Sequence, residues 1–151
     1  MIKRTHLAIG LTVALYFLPF VTHKALFIPI ILIASVLPDI DTINSNIGKK
    51  KIFRPVQYFL KHRGPLHSYT VLIILSTLLA YFYPSFALPF FLGYSLHLFA
   101  DSFTVGGIRP FWPFKFNTSG IVKTGGVVDK SLFYTFAIIN VFLFILLFLR
   151  A

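Results

Sequence analysis

The sequence has no cysteine and no glutamate, and its only acidic residues are four aspartates, Asp39, Asp41, Asp101 and Asp129. Without thiols, disulfides and thiolate metal sites are excluded. Fourteen Lys and Arg face those four acids, a net charge of +10, although only 12% of the residues are charged. Long polar stretches are also scarce: 57% of the chain is hydrophobic and its mean hydropathy is +0.84, beyond the range of a soluble globular protein. These features predict one integral membrane domain over residues 1–151. Such a positive charge in a soluble domain would suggest nucleic acid. Here the cations fall between apolar runs, where they match anionic lipid headgroups and orient the chain, so no nucleic-acid partner is expected.

Five apolar runs stand out, at 5–21, 25–37, 66–83, 86–101 and 132–149. A hydrocarbon core of about 30 Å needs about 20 helical residues, so the first run and the last three span it with modest help from their flanks. The second is short and either borrows flanking residues or stops inside the membrane. The first follows Lys3 and Arg4 as a signal peptide would, but no small-x-small cleavage site follows it, and it reads as an uncleaved span. With the N-terminus cytoplasmic, twelve Lys and Arg lie inside, and only Lys24 and Arg150 lie outside. That asymmetry predicts an all-α polytopic bundle of about five spans in the inner membrane, N-terminus in and C-terminus out.

The same topology sends seven ionisable residues to the cytoplasmic end: His6, Asp39, Asp41, His62, His67, His97 and Asp101. Because orientation came from Lys and Arg alone, this convergence is an independent observation. An ionised Asp at the bilayer centre costs on the order of 3 kcal/mol, so such residues near membrane depth are usually partnered and functional. Four imidazoles and three carboxylates without sulfur form a nitrogen and oxygen ligand set, too many for one tetrahedral Zn²⁺. They suggest one to three divalent ions, Zn²⁺ first, with Mn²⁺ and Mg²⁺ as alternatives. His97 and Asp101, four residues apart in "HLFAD", project from one helix face. In "HRGPLHS", Pro65 suits a first helical position, which leaves His62 in the loop and His67 in the first turn. Asp39 and Asp41 diverge on a regular helix and align in an extended segment, and Pro38 disfavours helix at Leu37. Either both ligate, or one ligates while the other orients a ligand.

Each residue also has a plainer reading. His6 reads as an interfacial histidine, the Asp pair as a cap, His62 as a solvated loop residue, and His97 with Asp101 as a buried pair holding helices together. All must hold at once to remove the site. Asp129, before an apolar helix, reads as its N-cap, and His23 as solvated.

"THLAIG", "LPDIDTINSNIG", "HRGPLHS" and "GYSLHLFADSFTVGGIRPFWPF" resemble, in order and approximate spacing, the YdjM-type membrane-bound, metal-dependent hydrolase family, over residues 5 to about 116. That family is similar in turn to the helical zinc-dependent phospholipase C and single-strand nuclease superfamily. The resemblance implies that the seven His and Asp residues are metal and catalytic positions, and that Arg63, Ser68 and Thr104 have supporting roles. Between Gly64 and His67 the chain departs from the family, with Pro-Leu where an aromatic residue and Thr are more usual, which removes a hydroxyl.

The expected function is hydrolysis of a phosphoester in a lipid or other amphiphile at the cytoplasmic leaflet. Asp41 or Asp101 would take the proton from water, and Arg63 and Arg109 would hold phosphate oxygens. Two alternatives use the same residues: a divalent-metal transporter or sensor, and a non-enzymatic membrane protein with a vestigial site. A metal-free lipid phosphatase ranks lower, because no Arg precedes His97 in "FLGYSLH".

Overall fold

The computed structural model describes residues 1–41 and 64–150, with backbone alone at 41 and 150. The described chain is helical: α1 (Lys3–Phe17), α2 (Lys24–Ala34), α3 (Tyr69–Phe82), α4 (Pro84–Ser102) and α5 (Val127–Arg150). Short 3₁₀ turns at Leu18–Phe20, Leu37–Asp41 and Pro65–His67 join them. No strand is present among the described residues. Two isolated bridges, Thr104 to Val122 and Ile108 to Thr118, brace the loop between α4 and α5.

Local chemistry sets most of these boundaries. Pro84, which has no N–H to lose in a first turn, opens α4 after the single residue Tyr83, so α3 and α4 form a tight antiparallel pair. The Ser68 hydroxyl accepts from the Val71 N–H at 3.2 Å and caps α3. α2 ends at Ala34, and Pro38 turns the following residues into the 3₁₀ segment Leu37–Asp41. The expected exit from the helix therefore occurs, as a tight turn and not as an extended strand.

α4 is the central helix, packed on α2 and α3, while α1 lies against α5, α2 and α4. One core cluster joins Ala34, Leu72, Tyr94, Leu98 and Ile108; a second joins Ala14, Phe27 and Ile31. Gly93 lets α4 approach α2 closely, because a Cβ there would collide with the Ile31 carbonyl and come within 2.9 Å of Ala34 Cβ. On the other side, Asn140 of α5 donates to the Ala8 carbonyl at 3.0 Å and accepts from Thr12 Oγ1 at 2.7 Å. The starts of α1, α3 and α5 and the ends of α2 and α4 share one end of the molecule.

Five spans were expected; among the described residues one helix, Val127–Leu149, is both long and apolar enough to cross a membrane. α1, α2 and α3 have 15, 11 and 14 residues. At 1.5 Å per residue they reach only about 22, 16 and 21 Å. α4 has 19 residues, but two prolines, three serines, His97 and Asp101 dilute its apolar character. The residues that lower its hydropathy include those that build the site.

Because Gly93 admits no side chain without moving α2, Gly93→Val is expected to destabilise the fold by about 1–3 kcal/mol. A lowered thermal midpoint of helical circular dichroism in detergent checks this, and an unchanged midpoint contradicts the close packing.

A candidate metal centre

His6 stands in the second turn of α1, Asp39 in the 3₁₀ turn after α2, His67 at the last position of the turn before α3, and His97 and Asp101 on the last two turns of α4. Four separate chain segments thus deliver ligand-type side chains to one end of the bundle. His6, His67, His97 and Asp101 are all buried, and Asp39 is partly so.

His97 is the hub. Its Nδ1 lies 2.9 Å from the Ser35 carbonyl, which can only accept, so this nitrogen carries the proton and donates. In the neutral ring Nε2 then offers a lone pair. That atom faces His67 Nε2 at 3.4 Å, Asp101 Oδ2 at 3.8 Å and Asp39 Oδ1 at 3.9 Å. The His6 ring stacks on His97 with centroids 4.0 Å apart, and its Nε2 lies 3.3 Å from Asp101 Oδ1. His67 Nε2 is 3.9 Å from Asp101 Oδ2. The Met1 amino group also pairs with the Asp101 carboxylate. Burial pushes the Asp39 carboxyl above its ordinary range, opposed by His6 and His67.

Two triads have donor atoms within 4.8 Å of one another, His6–Asp39–His97 and His67–His97–Asp101. Ligands about 2.0–2.2 Å from a tetrahedral ion lie roughly 3.3 Å apart, so only small side-chain movements separate these donors from coordination. Two observations favour a cation. His6 Nδ1 is buried without a hydrogen-bond partner among the described residues, which ordinarily costs about 1–3 kcal/mol, and Nε2 has the Asp101 contact alone. Beyond His67 Nε2, the lone pair of His97 faces carboxylate oxygens of Asp39 and Asp101, acceptors that a positive ion between them would satisfy together. A backbone carbonyl fixing the far nitrogen is, moreover, the usual way a metal-binding imidazole is oriented.

Other expected residues fall differently. Ser68 acts on backbone: besides capping α3, it donates to the Pro65 carbonyl at 2.6 Å. Thr104 is buried and donates to the Asp101 carbonyl at 2.7 Å, holding the end of α4. Arg109 is exposed on the loop after α4, and among the described residues no hydrogen bond or ion pair joins it to the cluster. His62, Arg63 and the side chain of Asp41 lie outside the described residues. His23 is exposed, as expected.

Asp129 sits inside the first turn of α5 and not at its N-cap. Its carboxylate accepts from the N–H groups of Gly125 and Ile2 at 2.8 and 2.9 Å and from Thr5 Oγ1 at 2.7 Å. It thus pins the start of α1, and with it His6, to α5. Two positioning residues escaped the sequence reading. Ser35 orients His97 through a backbone carbonyl, a group that every residue carries. Tyr94 donates its hydroxyl to the Leu66 carbonyl at 2.6 Å and steadies the turn bearing His67; a Tyr one turn before a motif His was the available signal.

No curated protein and no solved structure matches the chain. A family model does match, and the long apolar C-terminal helix agrees with its description. That match covers residues 1–151, and the chain belongs to the YdjM inner membrane protein family.

Proposed function

We propose that this protein is a membrane-embedded, metal-dependent hydrolase of phosphoester bonds in an amphiphilic substrate. The observation that carries the reading is the buried convergence of His6, Asp39, His67, His97 and Asp101, with His6 Nδ1 unpartnered among the described residues. When bound, a divalent ion such as Zn²⁺ supplies a water acidified to a pKa of about 7 and a Lewis acid for phosphoryl oxygen. Ser35 holds His97 in one tautomer, and Tyr94 holds the turn of His67, so these ligands are set before substrate arrives. Asp101, beside three imidazoles, is placed to take the proton from the attacking water. Arg63 and Arg109 are the cations assigned to phosphate, since a guanidinium offers paired donors. Asp41 and His62 remain assigned to the ligand set by their motif.

An apolar cavity of about 460 Å³ supports an amphiphile as substrate. It lies between α1, α4 and α5, is lined by Val13, Leu96, Phe99 and Phe136, and reaches Ala100, the neighbour of Asp101. An acyl chain suits such walls. The one-ended position of the cluster argues against transport, which needs a site near the midplane.

The proposal includes five passes through the cytoplasmic membrane, N-terminus in. Its support is the apolar exterior of α2, α3 and α4, where Ile33, Ile73, Leu78 and Phe91 are exposed. Reporter fusions after Val21, Tyr83 and Ala151 are expected to read outside, and one after Gly126 inside; the reverse at any position breaks the topology.

Purified protein is expected to retain a divalent metal by elemental analysis, and His97→Ala or Asp101→Ala to lose most of it while staying folded. A panel of phosphoesters should reveal activity that chelation abolishes and that Asp101→Ala lowers by about 100-fold or more. Metal-free wild type, or full metal content in both variants, removes the proposed centre; activity that survives exhaustive chelation removes the metal-dependent mechanism.

A further inference from the structure

Between Asp101 and Asp129, both buried, the chain carries three cations and no acid: Arg109, Lys115 and Lys123. All three are exposed. Among them runs "FWPFKF", residues 111–116, with Phe111, Phe114 and Phe116 exposed by 56%, 73% and 58% and Trp112 by 37%. Four large aromatic groups facing outward within six residues are costly in water. Around basic side chains they match the composition of a membrane–water interface.

The base of this loop is rigid. Val105 N–H donates to the Val122 carbonyl at 3.0 Å, and Ile108 and Thr118 exchange two backbone bonds of 2.9 and 3.0 Å. Gly107 has φ +60 and meets Thr118 so closely that no Cβ fits. Ile108 is buried in the core with Leu72 and Leu98, and Tyr69 N–H donates to the Pro110 carbonyl at 2.8 Å. These ties hold the base beside Asp101 while the aromatic tip faces outward, the opposite of a lid closed over the cluster. The loop ends directly at Val127, where the membrane-spanning helix begins. Its base is therefore at the edge of the apolar layer.

We infer that the loop between α4 and α5 is an interfacial anchor for anionic lipid: Phe111, Trp112, Phe114 and Phe116 enter the headgroup layer, and Lys115 and Lys123 meet lipid phosphates. The same braces that fix the loop to the end of α4 then fix the mouth of the His and Asp cluster at headgroup level. This holds whether or not the cluster hydrolyses anything.

Trp112 is the sole tryptophan and so a built-in probe. The full chain is reconstituted into phosphatidylcholine vesicles with or without phosphatidylglycerol, using lipids brominated near the glycerol or near the acyl terminus, and with iodide in the water. Shallow bromines are expected to quench Trp112 more strongly than deep ones. Adding phosphatidylglycerol should shift its emission to the blue and reduce iodide quenching. Lys115→Glu should lose that dependence on anionic lipid, and Phe114→Ser with Phe116→Ser should restore iodide access, each with unchanged helical circular dichroism. Quenching by iodide without quenching by lipid overturns the anchor and leaves an aqueous surface. Dominant quenching by deep bromines overturns the interfacial depth, and an unaltered lipid dependence in Lys115→Glu overturns the role of charge.

Discussion

The single hydrogen bond from His97 to the Ser35 carbonyl organises the end of the molecule on which everything else depends. It joins α4 to the end of α2, fixes the protonated nitrogen of a buried ring, and directs the other nitrogen toward Asp39, His67 and Asp101. An imidazole away from water must satisfy both its nitrogens. With one satisfied by backbone, the second is committed to whatever the three neighbouring segments present. Stacking by His6 adds α1 to the same assembly.

Around this hub the polar groups of the bundle divide into two kinds. Asp129 and Asn140 are satisfied by neighbouring donors and acceptors, and both serve to lock α1 against α5. Such fully paired groups cost little and specify register. The His and Asp cluster is different, because the His97 lone pair faces carboxylate oxygens and His6 Nδ1 has no hydrogen-bond partner among the described residues. That contrast, within one small membrane protein, separates polar residues that hold the fold from those close enough together to hold a cation.

The apolar features belong to the same picture. A cavity of about 460 Å³ between α1, α4 and α5 reaches the residue beside Asp101, while the aromatic loop departs from the end of the same helix. One suits a chain and the other a headgroup layer, and both converge on the end that carries the ionisable residues.

The spacing of His6, Asp39, His67, His97 and Asp101 against the Lys and Arg pattern was enough to place these residues at one end, since helix direction alternates and cations mark one face. Helix type was equally legible from the long uncharged runs. The sequence also identified Asp129 as a structural residue, although not the turn position it takes or its hold on Ile2 and Thr5. Span lengths were less legible, because hydropathy measures composition while the actual helices stop at Pro, Gly and capping residues; α2 ends at Ala34, short of its apolar run. Ser68 and Thr104 were expected to support the site, and the backbone groups they bond beside His67 and at Asp101 are ones that no side-chain pattern reveals. Sequence alone determined which side chains collect at one end and what charge surrounds them. Only tertiary structure decided which of them touch, which nitrogen of His97 carries the proton, and where the aromatic tip of the loop faces, because those depend on backbone carbonyls and close helix contacts that any sequence could supply and only one packing brings together.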